Sequence, residues 1–511
     1  MRFLRYLGLT ILFMALVALL TGGCKNPDNI PASGFSLTPS PVKVVFTDPQ
    51  FRVEGSGKDG ASDPYTRQTM QSVGLTMLEM ADLMAYIDSA KSTIDICSTR
   101  INNQGMVIRL VSIANRGVKV RIVTEKGFFN DPNSIYMIQE LIDAGVLIRT
   151  DEDDINRQMH ERYWIIDNHI VLTGSADMLD TSFSRSANNT LIIDTPLSSG
   201  LNASSDVSEI KSVTDAFFFD FTQMFDRGKF GKEKEVMLKH TFKIGVDVKI
   251  YFGPNDGLRT MIIDQLNNIN EYLFYAINQA TDGAIINLIN TLVTSGRYAI
   301  AGVYDGPSAT YAMPNGVAYD FPTRNGMNDK FMVLDVPTTF EDFEYFTAAS
   351  SNDPVVLSGS CNWTTAGLDL NDETLVEVHD LTLAFQYAVC EANALMAAAN
   401  NTGVVYGRVR SASNNIGLES TLTIATRRAS EAFPGVAEPI EVQSGGTEGF
   451  YGVYITTGDL YMLQITAAPE NHLTPEPKFQ YGDTFLLLPG ASYEGNFYPK
   501  LAPTGTGTGG T

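Results

Sequence analysis

Cysteine is scarce in this chain of 511 residues: there are four, Cys24, Cys97, Cys361 and Cys390, and no Cys-x-x-Cys pair. That scarcity removes a disulfide framework and a thiolate zinc centre from the reading, and no metal or other cofactor is called for. Positive charge is also short. Lys plus Arg total 36 against 58 for Asp plus Glu, a formal net charge of −22. An acidic surface argues against nucleic acid as a partner, because phosphate backbones are gripped through basic surfaces. A small basic pocket inside the acidic shell remains compatible with that balance. Histidine numbers only five, so a motif containing one is informative. A hydrophobic fraction of 44% and an aromatic fraction of 10% supply core for two to four domains.

Long apolar runs are confined to residues 7–20, preceded by Arg2 and Arg5 and followed by Thr21-Gly22-Gly23-Cys24. The run is too short for an ordinary spanning helix and reads as an export signal over 1–23. Small residues leading directly into a cysteine resemble a bacterial lipoprotein signal. That resemblance implies lipidation of Cys24, attachment to a membrane through it, and a place in the bacterial cell envelope. Lys25, standing where aspartate would retain the protein, favours the outer membrane if the cell has one. Residues 24–40, polar with three prolines, form a linker, and the Thr/Gly repeat of 501–511 a disordered tail.

Between these ends the chain repeats itself. Val42-Lys43-Val44-Val45-Phe46 is echoed by Val248-Lys249-Ile250-Tyr251-Phe252. Helical spacing over 80–90 returns over 258–268, and strand-like runs at 94–97 and 116–123 return at 273–277 and 295–303. Strands alternating with helices predict an α/β fold, and the duplication predicts two halves, residues 41–230 and 245–400. From 404 to 500 short strands and turns predict a β-sandwich, similar to transthyretin-like and carboxypeptidase-regulatory-like domains.

Each half carries one more shared pattern. The first is His160-Glu161-Arg162 ending at Asp167, then Gly174-Ser175-Ala176-Asp177. The second is Asn328-Asp329-Lys330 ending at Asp335, then Gly359-Ser360-Cys361-Asn362. In a strand, alternate side chains share a face, so His160 sits with Arg162 and Asn328 with Lys330. Asp167-Asn168 suits a two-residue hairpin turn, which would set Ile166 against His169, Arg162 against Thr173 and His160 against Ser175. An imidazole, a guanidinium and a hydroxyl on one patch would cradle a phosphodiester.

The two copies resemble the HxKxxxxD…GSxN signature of the phospholipase D superfamily. The resemblance implies two halves related by a pseudo-two-fold axis with one site between them. It makes His160 the nucleophile of a phosphohistidine intermediate and Arg162 and Lys330 the phosphate cations. Ser175, Ser360 and Asn362 become supporting donors, Glu373 the histidine-orienting carboxylate, and Asp167 and Asp335 the family aspartates, structural more than reactive. Three departures follow. Arginine replaces lysine at 162, which keeps the charge and can bind phosphate bidentately. Asparagine replaces histidine at 328, and an amide exchanges no proton near neutral pH. Aligning Asn189-Thr190-Leu191 with Glu373-Thr374-Leu375 puts Asn189 where the second carboxylate belongs. His379 is the outlying histidine best placed in sequence to replace the missing acid. The implied function is a metal-independent phosphodiesterase or phosphatidyl-transferase acting on phospholipid, with reduced efficiency. The alternative is a catalytically inactive lipoprotein that binds phosphate or lipid.

Overall fold

The computed structural model describes residues 37–47 and 75–237, the latter with breaks at 130, 133, 152–155, 180–181 and 184–185. It further describes 241–305, 313–319, 327–336, 353–392 and Leu395, and between 402 and 499 mainly the strands. Cys24, the linker's first residues and the tail lie outside the described residues.

Two sheets carry the duplicated part. The first is built from β1 (Val42–Phe46), β2 (Thr93–Cys97), β3 (Lys119–Thr124), β4 (Leu147–Thr150), β5 (Tyr163–Ile166), β6 (Ile170–Gly174) and β7 (Asn189–Asp194), in the order β1-β7-β6-β5-β2-β3-β4. The second contains β8 (Thr241–Lys243), β9 (Asp247–Phe252), β10 (Tyr272–Ile277), β11 (Ala299–Asp305), β12 (Gly316–Tyr319), β13 (Lys330–Leu334), β14 (Val355–Gly359) and β15 (Thr374–His379). Its order from the other edge is β8-β9-β15-β14-β13-β10-β11-β12. With β8 set aside, the two orders match strand for strand. β2 and β3 are parallel and joined through helix α1 (Gln104–Asn115), as β10 and β11 are through α2 (Gly283–Ser295). The side chains of Asn103 and Asp282 cap these helices by accepting backbone N–H groups.

Both faces of each motif strand are covered, so the strands read as unbroken apolar runs. Tyr163, Ile165, Phe331 and Val333 enter one core shared by the two halves. Trp164 and Ile166 enter a core private to the first half, Met332 and Leu334 one private to the second. A further helix, α3 (Val213–Phe225), begins with a Ser212–Asp215 capping box and is buried on nearly every side. Its Phe217 ring packs edge-on against Tyr163 of one half and Phe252 of the other, with centroids 5.0 and 5.3 Å apart.

Polar contacts close the junction reciprocally. His160 N–H donates to Asp372 O and Asn328 N–H to Ala187 O, both at 2.9 Å. The buried Lys234 ammonium contacts Glu161 at 2.6 Å, Asp220 at 2.9 Å and Asp372 at 3.1 Å, tying both halves and the shared helix together. Beyond the second half, the described strands between Thr402 and Glu494 form a three-stranded and a four-stranded sheet.

The first hairpin departs from expectation by one residue. Asp167 and Asn168 do take positive φ (51° and 55°), and His169 N–H donates to Ile166 O at 2.9 Å. The ladder nonetheless pairs Ile166 with Ile170 and Tyr163 with Thr173. His169 joins the turn because its carbonyl is taken by Thr195 N–H at 3.0 Å and Thr214 Oγ1 at 3.2 Å.

Candidate active site

The site lies where the two motif strands meet, and its two sides have the same construction. Each closing strand brings a carbonyl against a glycine. A Cβ on Gly174 would lie 2.2 Å from Asn189 O, and one on Gly359 would lie 2.1 Å from Thr374 O. Only glycine admits that approach. The next residue is the serine in both halves. Ser360 Oγ accepts Thr374 N–H at 2.9 Å and donates to Glu373 Oε2 at 2.5 Å. Ser175 Oγ accepts Asn189 N–H at 3.0 Å and donates to Asn188 Oδ1 at 3.1 Å.

These pairs correct the sequence alignment. Phe46 pairs with Asn189, whereas its counterpart Phe252 pairs with Thr374, so Asn189 is the equivalent of Thr374. The residue facing Glu373 across the pseudo-symmetry is Asn188. Asn189 instead donates to Asp329 at 2.6 Å and accepts from Ser358 and Tyr387 at 2.5 and 2.9 Å. The matching Thr-Leu dipeptides misled the alignment. Counting from the motif serine would have found the residue, since 13 positions separate Ser175 from Asn188 and Ser360 from Glu373.

On the complete side, His160 Nδ1 lies 2.8 Å from Glu373 Oε1, and Arg162 Nη2 lies 2.9 Å from His160 Nε2. A guanidinium only donates, so Nε2 carries the lone pair and Nδ1 the proton given to Glu373. Burial holds the His160 imidazole below its ordinary pKa. Glu373 opposes that, while Arg162 and Lys330 add to it. The ring is therefore neutral near pH 7, with Nε2 against the Arg162 guanidinium.

On the other side the same positions hold two amides. Asn328 Nδ2 donates to Asn188 Oδ1 at 2.7 Å and to Ser175 O at 3.0 Å. Its Oδ1 accepts from Lys330 Nζ at 2.9 Å. Asn188 Nδ2 donates to Ser182 O and Ser186 O at 3.2 and 3.3 Å. The imidazole–carboxylate pair on one side of the junction thus has an amide–amide pair as its counterpart on the other, each pair drawing one residue from each half and each amide group engaged.

Arg162 is 7% exposed and Lys330 2%. Arg162 Nη1 donates to Ser175 O at 2.6 Å, and Asp177 Oδ2 sits behind it, 3.7 Å from Nε. Lys330 Nζ donates to Asn328 O at 2.8 Å as well as to Oδ1. Among the described residues it has no carboxylate within ion-pair distance, and burial together with Arg162 pushes it well below the usual lysine range. A buried ammonium in that position is stabilised by an incoming anion. Asn362 Oδ1 has no hydrogen-bond partner among the described residues.

Two of the named residues do not join the site. Asp167 and Asp335 stand beyond the far ends of β5 and β13. Asp167 accepts the N–H groups of Lys91, Ser92 and Thr93, and Asp335 those of Asn270, Glu271 and Tyr272. Both have left-handed φ (51° and 58°), which aspartate tolerates better than most residues. They hold loops in place and touch no reacting group. His379 ends β15, the strand that Glu373 immediately precedes, and binds Asp353 and Glu377 at 2.8 and 2.7 Å. It therefore does not replace the missing acid. Cys97, Cys361 and Cys390 are buried, and burial raises the first two well above the ordinary thiol range.

Residues 83–209 match the family described as cardiolipin synthase, PLD-like domain. Among curated proteins, the chain is similar to the mitochondrial cardiolipin hydrolase of Xenopus laevis, with 28% identity over 112 residues, 22% of this chain and 51% of that protein. The Danio rerio protein of the same name is 25% identical over 158 residues, 30% of this chain and 67% of that one. The chain spans about half the length of most curated relatives it matches. Among solved structures, phosphatidylserine synthase of Haemophilus influenzae aligns at 11% identity with TM-score 0.40, covering 60% of this chain and 80% of that one. The phospholipase D family member Nuc of Salmonella typhimurium aligns at 21% identity with TM-score 0.23, covering 30% and 83%. Over residues 83–209, the chain is thus similar to phospholipase D-like domains.

Proposed function

We propose that the protein is a phosphodiesterase or phosphatidyl-transferase that works through a phosphohistidine on His160, its substrate a phospholipid or another phosphodiester. One observation carries the reading. A neutral imidazole, oriented by Glu373 through Nδ1, presents Nε2 to the buried Arg162 guanidinium, and the buried Lys330, whose charge also acts on that imidazole, lacks a carboxylate partner among the described residues. An anionic phosphoryl group entering there would take the donors of Arg162 and Lys330 and free Nε2 for in-line attack. Water or an acceptor alcohol would then release the group. No step in this scheme calls for a metal.

The amide pair at Asn188 and Asn328 supports low turnover, because general acid–base assistance contributes about 10²- to 10⁴-fold. The same pair favours a second reading, a phosphate- or lipid-binding protein without turnover. We further propose that the chain is an envelope lipoprotein held to a membrane through lipidated Cys24. Head-group release from phospholipid vesicles, compared between the unaltered chain and His160→Ala, tests the function. Release that depends on His160 supports the enzyme, and vesicle binding without release supports the second reading. For the anchor, Cys24→Ser should shift the protein from the membrane to the soluble fraction, and unchanged partition would contradict it.

A further inference from the structure

We infer that the site selects substrates by their leaving group. It cleaves phosphodiesters whose departing group is stable as an anion, such as a phenolate or a phosphate, and discriminates against unactivated alcohols. The inference rests on the His160 reading above and concerns what stands opposite that histidine.

A histidine facing His160 would protonate the oxygen that leaves phosphorus. The residue there is Asn328, and its hydrogen bonds are all committed. Both Nδ2 hydrogens are spent, on Asn188 Oδ1 and on Ser175 O, and Oδ1 is taken by Lys330. Asn188 is equally engaged, by Asn328, Ser175, Ser182 and Ser186. The pair can neither give a proton nor relay one. The Ser175 hydroxyl on this side has its one proton directed at Asn188 Oδ1, 3.1 Å away, with the fully buried Asp329 Oδ1 at 3.4 Å behind it. Lys330 spends two of its N–H bonds on Asn328, which leaves one for a phosphoryl oxygen. Of the described histidines outside the motif, His169 is paired with Asp194 and His379 with Glu377 and Asp353.

The step balances without an acid. The Nε2 lone pair forms the N–P bond, the P–O bond to the leaving group breaks, and that oxygen departs with the electron pair as an anion. Nδ1 keeps its proton against Glu373 throughout. An alkoxide is too basic to leave this way at a useful rate, whereas a phenolate or phosphate is not. Water then attacks phosphorus and the N–P pair returns to Nε2. Neither Asn328 nor Asn188 can take the water's proton, which passes to solvent, so this second step is slow and the phosphoryl-enzyme accumulates.

The test uses the full chain and two substrates with the same phosphatidyl group in the same detergent micelles, phosphatidyl-p-nitrophenol and phosphatidylcholine. The expected result is a burst of nitrophenolate approaching one equivalent of protein, then slow turnover. Choline release should be at least about 10²-fold slower than the burst, the lower end of what a general acid contributes. A series of ring-substituted phenyl esters should slow steeply as the phenol becomes less acidic. His160→Ala should abolish release from all of them. If nitrophenol and choline leave at equal, His160-dependent rates, an acid such as the Lys330 ammonium is at work. The leaving-group inference then falls while the proposed function stands. If neither is released in a His160-dependent way, the proposed function falls and the inference with it.

Discussion

The two halves of this protein share strand order, glycine–serine turns and a layered core, yet they differ at the few atoms where chemistry would occur. On one side of the site, His160 of the first half and Glu373 and Ser360 of the second form an imidazole–carboxylate–hydroxyl chain. On the other side, Asn328 of the second half and Asn188 and Ser175 of the first form an amide–amide–hydroxyl chain with nearly the same geometry. The fold tolerates the exchange because amides supply matching donors and acceptors, so the Asn188 and Asn328 side chains keep all their polar atoms bonded. What the exchange removes is proton exchange near neutral pH. Folding and catalysis therefore place separable demands on the same positions.

The largest effect expected from breaking this asymmetry is His160→Ala, which removes the nucleophile. Head-group release should fall by about 10⁴-fold or more, to background, while phosphate binding by Arg162 and Lys330 persists. Binding measured by calorimetry with inorganic phosphate separates the two. Repairing the deficient side should act next. The double substitution Asn188→Glu with Asn328→His rebuilds the counterpart of the Glu373–His160 pair and should raise alcohol release by about 10²- to 10⁴-fold. Asn328→His alone should gain less, since its imidazole would be oriented by an amide, and an equal gain would mean that Asn188 is irrelevant.

The cations differ between halves as well. Arg162 is backed by Asp177 and Ser175 O, whereas Lys330 contacts only Asn328 among the described residues. Lys330→Met should weaken phosphate binding by about 10- to 100-fold, the range for a charge-assisted hydrogen bond. The smallest effect concerns pH. His160 must be neutral to attack, and its pKa is lowered from 6.5, chiefly by burial. The rate of the unaltered chain should therefore rise only as pH climbs through that depressed value and stay level across neutrality. The double variant should gain a descending alkaline limb, because its introduced imidazole must be protonated to act. A pH–rate profile of each separates them.

Much of this was legible in the residues. The duplication and the α/β class follow from strand and helix periodicity and from repeated motifs, and the convergence of His160, Arg162, Asn328 and Lys330 from what the family resemblance implies. What escaped depended on register, which sequence similarity reports poorly. Asn188 was hidden by a Thr-Leu match one residue out of step, and the hairpin pairs Ile166 with Ile170 because distant Thr195 and Thr214 claim the His169 carbonyl. The role of Lys234 was equally out of reach, because its three carboxylates are scattered at positions 161, 220 and 372.

The most direct test of the central claim is covalent capture. The full chain would be incubated with a phospholipid carrying radiolabelled phosphorus, quenched in base, and mapped by peptide. The expected result is label in an acid-labile, base-stable bond to the peptide containing His160, lost in His160→Ala and abundant because the second step is slow. Absence of label in a protein that still releases head group, or label that survives His160→Ala, would contradict it.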